Sequence, residues 1–415
     1  MPLRSRPAGP LASDWGLAAP PATPTRPALG LAVLAALSLL HCEALGVYRV
    51  GLCWLAFWVF QQMFQLDALT RGSGYVALAY ALLLICVCFF HSAGTLSFYI
   101  LFELSLLPTL FIVLLFGYQP EKLRAAQYLL LYTVLASLPL LLSLLALTPY
   151  LGWLALPRVG YLGLTLTLGF MVKSPLYLVH IWLPKAHVEA PVAASMALAG
   201  ILLKLGSYGL LLFCPLLLHP LLTLYLAVSL LGGVACARVC ARQWDAKRLI
   251  AFSSVVHMGV VTVGVVVGTE LGYLCAYLIV VAHGICSPLL FGAVYRFYQR
   301  RHRRLLTSNR GRLGSPIAAL TLFLLLAVNM GVPPFLNLWS EVLIYCCLLP
   351  YAYHSLWILL PAAFLGALYN LHLYVRLTHG KEAPAATPCD DFWAGVHSVA
   401  LSFVLAGGLG FFNGP

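Results

Sequence analysis

Stretches of about 20 apolar residues, the length that spans a hydrocarbon core, recur from one end of this 415-residue chain to the other. That recurrence leaves few folds open. In lipid every backbone N–H and C=O must be paired within the protein, so only helices and closed barrels cross. A barrel would show short alternating segments, and here the apolar runs are long and continuous. Only 9% of the residues are charged, against about 25% in an average soluble domain, too few to clothe a water-facing surface. The expected fold is an all-α polytopic membrane protein.

Candidate spans lie at 45–62, 75–92, 95–117, 126–148, 161–182, 192–214, 219–237, 249–267, 272–295, 316–350, 354–377 and 393–412, with 28–43 as a further candidate. The expected number is therefore about 12–13 transmembrane helices. The run 316–350 is too long for one straight crossing and is interrupted by GVPP at 331–334. It reads as two short crossings or as one discontinuous helix. Residues 1–27, rich in Pro and Ala with three arginines, read as a disordered or targeting-like tail outside the fold.

The loops divide by charge. Loops 118–125, 183–191, 238–248 and 296–315 carry Lys122, Arg124, Lys185, Arg238, Arg242, Lys247, Arg248 and seven arginines between Arg296 and Arg312. The alternate loops 149–160, 215–218 and 268–271 carry only Arg158. By the positive-inside rule the basic loops face a bacterial cytoplasm or a mitochondrial matrix. The arginine run is then a topology signal that meets anionic headgroups, not a nucleic-acid site. Most of the net charge of +12 lies on that one face. The 12 cysteines are scattered, mostly within apolar runs and without a CxxC, so they read as small hydrophobes. No haem, iron–sulfur or zinc spacing is present.

Ionisable residues near a bilayer midplane are costly and mark function by default. Six such residues sit near the centres of different spans: Glu103, Lys173, Lys204, His257, His283 and Glu341. One would be explained by a structural ion pair; six on successive spans suggest a polar track. Burial raises the pKa of a carboxylic acid and lowers that of an ammonium, and pairing opposes both shifts. Such groups, with histidine and bridging water, can pass protons. A metal site would gather carboxylates and histidines without lysines. Pro175 lies two residues after Lys173, and Pro333 and Pro334 precede Glu341. Each removes a backbone donor, so a discontinuous helix with carbonyls open to water is expected at both places. On the basic side, His180, Lys185, His187 and Glu189 in HIWLPKAHVEAP, together with Lys247, form a candidate peripheral relay. Trp182 reads as an interfacial anchor.

These residues fall in FELSLLPTLFIVLLFG (102–117), FMVKSPLYLVHIWLPKAHVEAPVAASMALAGILLKLGSYG (170–209), KRLIAFSSVVHMG (247–259), AHGICSPLLFG (282–292) and GVPPFLNLWSE (331–341). On those stretches the chain resembles the chain 4 family of NADH:ubiquinone oxidoreductase (respiratory complex I), the antiporter-like proton-translocating membrane subunits. The resemblance implies two inverted-type repeats, each containing a discontinuous helix, and makes 316–350 one interrupted crossing. It implies that Glu103 pairs with Lys173, that Lys204 is the central lysine, that His257 and His283 link it onward, and that Glu341 is the terminal charged residue. The implied organisation is a tail at 1–27, shortened N-terminal helices at 28–94, a first repeat region at 95–237 with its broken helix at 161–182, a second at 238–350 with its broken helix at 316–350, and C-terminal helices at 351–415. One or two spans precede 75–92 where the family has three; a separate piece or another subunit is the expected filler.

The resemblance also implies a subunit with no cofactor of its own, in a complex that uses NADH, FMN, iron–sulfur clusters and ubiquinone. Its partners would be antiporter-like subunits of the chain 2 and chain 5 type, accessory subunits, membrane lipids including cardiolipin, protons and internal water, and no nucleic acid. The expected location is the mitochondrial inner membrane, alternatively a bacterial plasma membrane. Two rivals stay open: a subunit of a multisubunit sodium/proton antiporter, and a structural scaffold with inert buried charges.

Overall fold

The structure is a computed structural model that describes residues 44–67, 72–117, 120–147, 162–217, 219–301, 305–309 and 316–380. The tail, the segment 28–43, the loop with Arg158, the side chains of the arginine run and the span 393–412 lie outside the described residues.

Among the described residues the fold is all-α, with one isolated bridge between Asp245 and Leu305. The helices are α1 (Ala44–Asp67), α2 (Ser73–His91), α3 (Thr95–Leu104), α4 (Leu106–Phe116), α5 (Lys122–Leu147), α6 (Leu162–Lys173), α7 (Trp182–Glu189) and α8 (Val192–Ala197). A π-helical turn (Leu198–Leu202) then leads into α9 (Leu203–Phe213), α10 (His219–Ala241), α11 (Ala246–Val267), α12 (Glu270–Arg301), α13 (Pro316–Met330), α14 (Leu336–Ala352) and α15 (Leu356–Thr378).

Eight described stretches are long and apolar enough to cross a membrane, fewer than the 12–13 expected. The expected spans at 161–182 and 316–350 are each broken into pieces, and α6 and α13 are too short to be counted alone. The second half of the latter runs on with α15 as one apolar stretch. The remaining difference lies in α1, which is not among the eight, and in the segments that are not described.

Burial separates a centre from a rim. The spans of α11 and α12 are 94% buried, whereas those of α2, α5 and α10 are 39% buried and present leucines outward as a lipid-facing helix does. A buried helix must satisfy its own polar side chains. In α11, Ser253, Ser254 and Thr262 donate to carbonyls three residues back, at 2.8, 2.6 and 2.7 Å. Its start is fixed by the Asp245 side chain, which accepts from the Lys247 N–H at 3.0 Å, an N-cap. It ends at Gly268 with φ +73°, a left-handed position that glycine adopts without strain.

The two broken helices have matching neighbours. α5 packs on both α6 and α7, and α12 packs on both α13 and α14. α9 covers the first broken helix, and α15 covers the second. Discontinuous helices in corresponding surroundings are the mark of inverted repeats.

Candidate functional site

At the first break α6 ends on Lys173, ahead of Pro175. Its last carbonyls are not left for water, as the sequence suggested. The Phe170 carbonyl accepts from the Ser174 N–H at 2.8 Å and the Ser174 hydroxyl at 2.7 Å. The Met171 carbonyl accepts from the Leu176 N–H at 2.9 Å, and the Val172 carbonyl from the Trp182 indole at 3.0 Å. Trp182 is thus no interfacial anchor: it is buried and caps the broken helix, because a carbonyl freed in lipid needs a protein donor.

The second break is sealed in the same manner. Gly331, at φ +68°, lets its own N–H reach the Val328 carbonyl at 3.3 Å and the Val332 N–H reach the Ala327 carbonyl at 3.1 Å, a Schellman arrangement. The Asn337 amide adds a bond to the Val328 carbonyl at 2.8 Å. The Pro333–Pro334 pair occupies the connecting turn, and α14 starts two residues later.

Lys173 is buried, and its ammonium turns away from its own helix into the junction of α3 and α4. It donates to the Phe102 carbonyl and, at 3.1 Å, to the Ser105 hydroxyl, and it lies 3.4 Å from the centre of the Phe102 ring. That junction was expected to be continuous helix. Pro108 has no N–H for the Leu104 carbonyl, and the regular bonding lapses at Ser105, whose backbone stays right-handed helical (φ −61°, ψ −22°) and whose hydroxyl donates to the Phe102 carbonyl at 2.7 Å. Phe98, Phe102, Phe170 and Phe213 close around this point. Glu103 acts electrostatically on the same ammonium, but the two do not close to an ion pair. Glu103 Oε1 is buried with no protein hydrogen-bond partner.

Lys204 is fully enclosed. Its ammonium donates to the Ala199 carbonyl at 2.6 Å and meets His283 Nδ1 at 2.8 Å. Ala199 lies in the π-helical turn, a widened geometry that recurs at functional sites. With Lys204 as the ammonium, Nδ1 accepts and the ring proton of His283 sits on Nε2, an atom with no protein partner. The His283 and His257 rings are 5.5 Å apart between centroids, and His257 Nδ1 lies 3.4 Å from Glu341 Oε1. Four of the six central residues, on α9, α12, α11 and α14, thus form one line: Lys204, His283, His257, Glu341. No hydrogen bond or ion pair among the described residues joins Lys173 to Lys204, so Glu103 and Lys173 form a separate group.

Residues 92–366 match the family described as NADH:quinone oxidoreductase/Mrp antiporter, TM. The chain belongs to this family. NADH-ubiquinone oxidoreductase chain 4 of Ceratitis capitata is 41% identical over 351 residues, covering 81% of this chain and 79% of its own length. A chain in the structure of respiratory complex I from Thermus thermophilus with bound NADH is 25% identical, with a TM-score of 0.78 over 87% of this chain and 82% of that one. A chain in the structure of the Mrp complex from Dietzia sp. DQ12-45-1b shares the fold, with a TM-score of 0.77 at 15% identity over 88% of this chain and 81% of that one.

Within this antiporter-family fold the peripheral candidates divide. Buried His187 stacks on Phe291, 4.8 Å between centroids, and neither of its ring nitrogens has a hydrogen-bond partner. It lies within electrostatic reach of Lys204 and Lys247. Lys247, at the first turn of α11, is buried rather than in a loop and donates to the Ala190 carbonyl at 3.2 Å, beside Glu189. His180 stacks on Tyr177 at 5.2 Å and faces Cys236, and Lys185 lies over the Tyr128 ring at 3.4 Å. His187 and Lys247 therefore adjoin the central line, while His180 and Lys185 stand on other neighbours. Among the described residues no group of three or more His, Cys, Asp or Glu side chains gathers as a metal site.

Sequence reasoning missed Ser105, the π-helical turn and Trp182 as a cap. A serine three residues before a proline inside an apolar run was the readable sign of the first. The π-helical turn has no propensity signal; the only hint is a lysine that needs a carbonyl. Gly206 was also missed. A Cβ there would stand 2.6 Å from the Ser174 nitrogen and 2.9 Å from the Phe170 carbonyl, so the first break rests directly on α9.

Proposed function

We propose that this chain is a proton-translocating membrane-arm subunit of an NADH:ubiquinone oxidoreductase. It moves protons through a buried Glu/Lys/His/water relay driven by quinone reduction elsewhere in the complex. The observation that carries this reading is the line Lys204–His283–His257–Glu341, buried on four helices. Its groups alternate donor and acceptor, and its unpartnered nitrogens are of the kind that bridging water satisfies. In the proposed mechanism, Glu103 and Lys173 set the charge felt by Lys204. The proton of Lys204 passes to His283 Nδ1 as the Nε2 proton leaves toward His257, and Glu341 receives the charge at the second break. His187, Glu189 and Lys247 connect Lys204 to the basic face, with His180 and Lys185 at its margin.

We assign the repeats to 95–237 and 238–350, with 28–94 and 351–415 flanking. NADH, FMN, iron–sulfur clusters and ubiquinone belong to other subunits in this reading. Chain 2 and chain 5 type subunits, accessory subunits and cardiolipin-containing lipid are its neighbours, and a mitochondrial inner membrane is the preferred location. The likeness to chain 4 sequences supports the oxidoreductase over a sodium/proton antiporter. The test is copurification with an NADH-oxidising arm, followed by NADH-driven proton uptake in reconstituted vesicles. Glu341→Gln should leave the complex assembled and cut uptake severely; wild-type uptake by that variant would refute the relay.

The orientation has its own test. A cysteine placed at exposed Arg242 should react with a membrane-impermeant thiol reagent from the matrix or cytoplasmic side, as the charge asymmetry of the loops requires. Reaction from the opposite side alone would invert the topology.

A further inference from the structure

Lys173 poses a question that an ion pair with Glu103 does not answer. Its ammonium is desolvated, yet it is held by neutral groups one residue before and two residues after that glutamate. A buried ammonium needs acceptors, and here the interruption at Ser105 supplies them: the Phe102 carbonyl, the Ser105 hydroxyl and the Phe102 ring face. Glu103 Oε1, by contrast, is buried and unmatched. The backbone beneath Lys173 cannot shift to choose between them. A Cβ on Gly206 would come within 3.0 Å of the Lys173 carbonyl carbon, so α9 and α6 are in backbone contact there. Only the flexible four-carbon stem of Lys173 is free to swing.

We propose that the Phe102 carbonyl and the Ser105 hydroxyl form a second, uncharged dock for the Lys173 ammonium, and that Ser105 is a positioning residue that keeps Lys173 apart from Glu103 for part of the pumping cycle. The inference rests on the relay reading and deepens it. With Lys173 in this dock, the ammonium acts on Glu103 only through space and not as a closed ion pair, and in this proposal the weaker counter-charge lets Glu103 take a proton from water that reaches it. When Lys173 swings back, its positive charge drives that proton off Glu103 and back to water. The helix interruption is then a two-position switch for one ammonium, built from a serine and a proline.

The experiment uses the assembled complex in its membrane, with Ser105→Ala and Ser105→Thr compared to wild type. Cryo-electron microscopy locates Lys173 Nζ, and infrared difference spectroscopy follows the carboxylic-acid band of Glu103, assigned by its loss in Glu103→Gln. Removing one hydrogen bond to a charged group should shift the population between the docks by about tenfold or more. In Ser105→Ala, Nζ is expected on Glu103 with the acid band lost, and in Ser105→Thr both are expected as in wild type. Nζ still on the Phe102 carbonyl in Ser105→Ala, with the acid band intact, would overturn the proposal, as would Ser105→Thr behaving like alanine. Should Ser105→Ala not assemble, Ser105→Cys, close in volume and a poor ammonium acceptor, is judged by the same two outcomes. Glu103→Gln also separates the layers. If it pumps fully, the relay reading falls and this switch with it; if it does not pump while Ser105→Ala matches wild type, only the switch falls.

Discussion

Replacing Lys204 with arginine is expected to lower NADH-driven proton uptake by at least about tenfold, a rise of about 1.4 kcal/mol in the barrier. The ammonium of Lys204 sits between the Ala199 carbonyl and His283 Nδ1 with no exposed surface. Arginine keeps the positive charge but does not release its proton, so the transfer to His283 stops. The larger guanidinium also strains a packed site, at a cost of about 1–3 kcal/mol. Lys204→Met is therefore the companion variant: its shape is close to lysine and it carries no proton. Both variants should pump poorly in complexes shown by native electrophoresis to be assembled. An arginine variant that assembles and pumps like wild type would mean that Lys204 is a fixed charge, not a carrier.

Gly206→Ala should damage the first break directly, because three backbone atoms crowd the site of its Cβ. The added carbon would meet backbone atoms on α6 and at the break, at 2.6 Å from Ser174 N, 2.9 Å from the Phe170 carbonyl and 3.0 Å from the Lys173 carbonyl carbon. Side chains can turn aside; hydrogen-bonded backbone at a capped helix end cannot. A loss of about 1–3 kcal/mol is expected, seen as a lower unfolding temperature or yield of assembled complex, with pumping reduced because Lys173 is displaced. Gly233→Ala is the control. A Cβ at Gly233 meets nothing within 4 Å, so this helix-interior change should not destabilise and should gain up to about 1 kcal/mol. Equal behaviour of the two variants would show that the contact at Gly206 does not brace the break.

The membrane class and the positions of most spans were legible because hydropathy is a one-dimensional property of the chain. The six buried ionisable residues were legible for the same reason: a charge inside an apolar run is conspicuous. What they touch was not. Nothing in GILLKLGSYG says that Lys204 meets His283, 79 residues away. The Glu103–Lys173 pair implied by family likeness becomes, in the structure, an ammonium held by a carbonyl and a hydroxyl. At FELSLLP the backbone stays helical as propensity predicts, and what propensity does not register is the lapse in hydrogen bonding that Pro108 causes. The breaks at Pro175 and GVPP were readable as breaks. Their sealing by Trp182, Ser174, Asn337 and Gly331 was not, because it depends on donors brought in by the return of the chain.

The capped breaks also say how this protein can respond to a distant event. Each interruption is closed by bonds of its own, from Trp182 at one and from Asn337 and two backbone N–H groups at the other. Such joints behave as welded elbows. A neighbour that pushed on them would have to break hydrogen bonds in a medium with no water to replace them. The signal that crosses this frame is then better carried as an electric field than as a lever stroke. One ammonium moved by a few ångströms in low-dielectric surroundings shifts the potential at the next titrating group. In the proposed relay that group would answer by gaining or losing a proton without a movement of the helices.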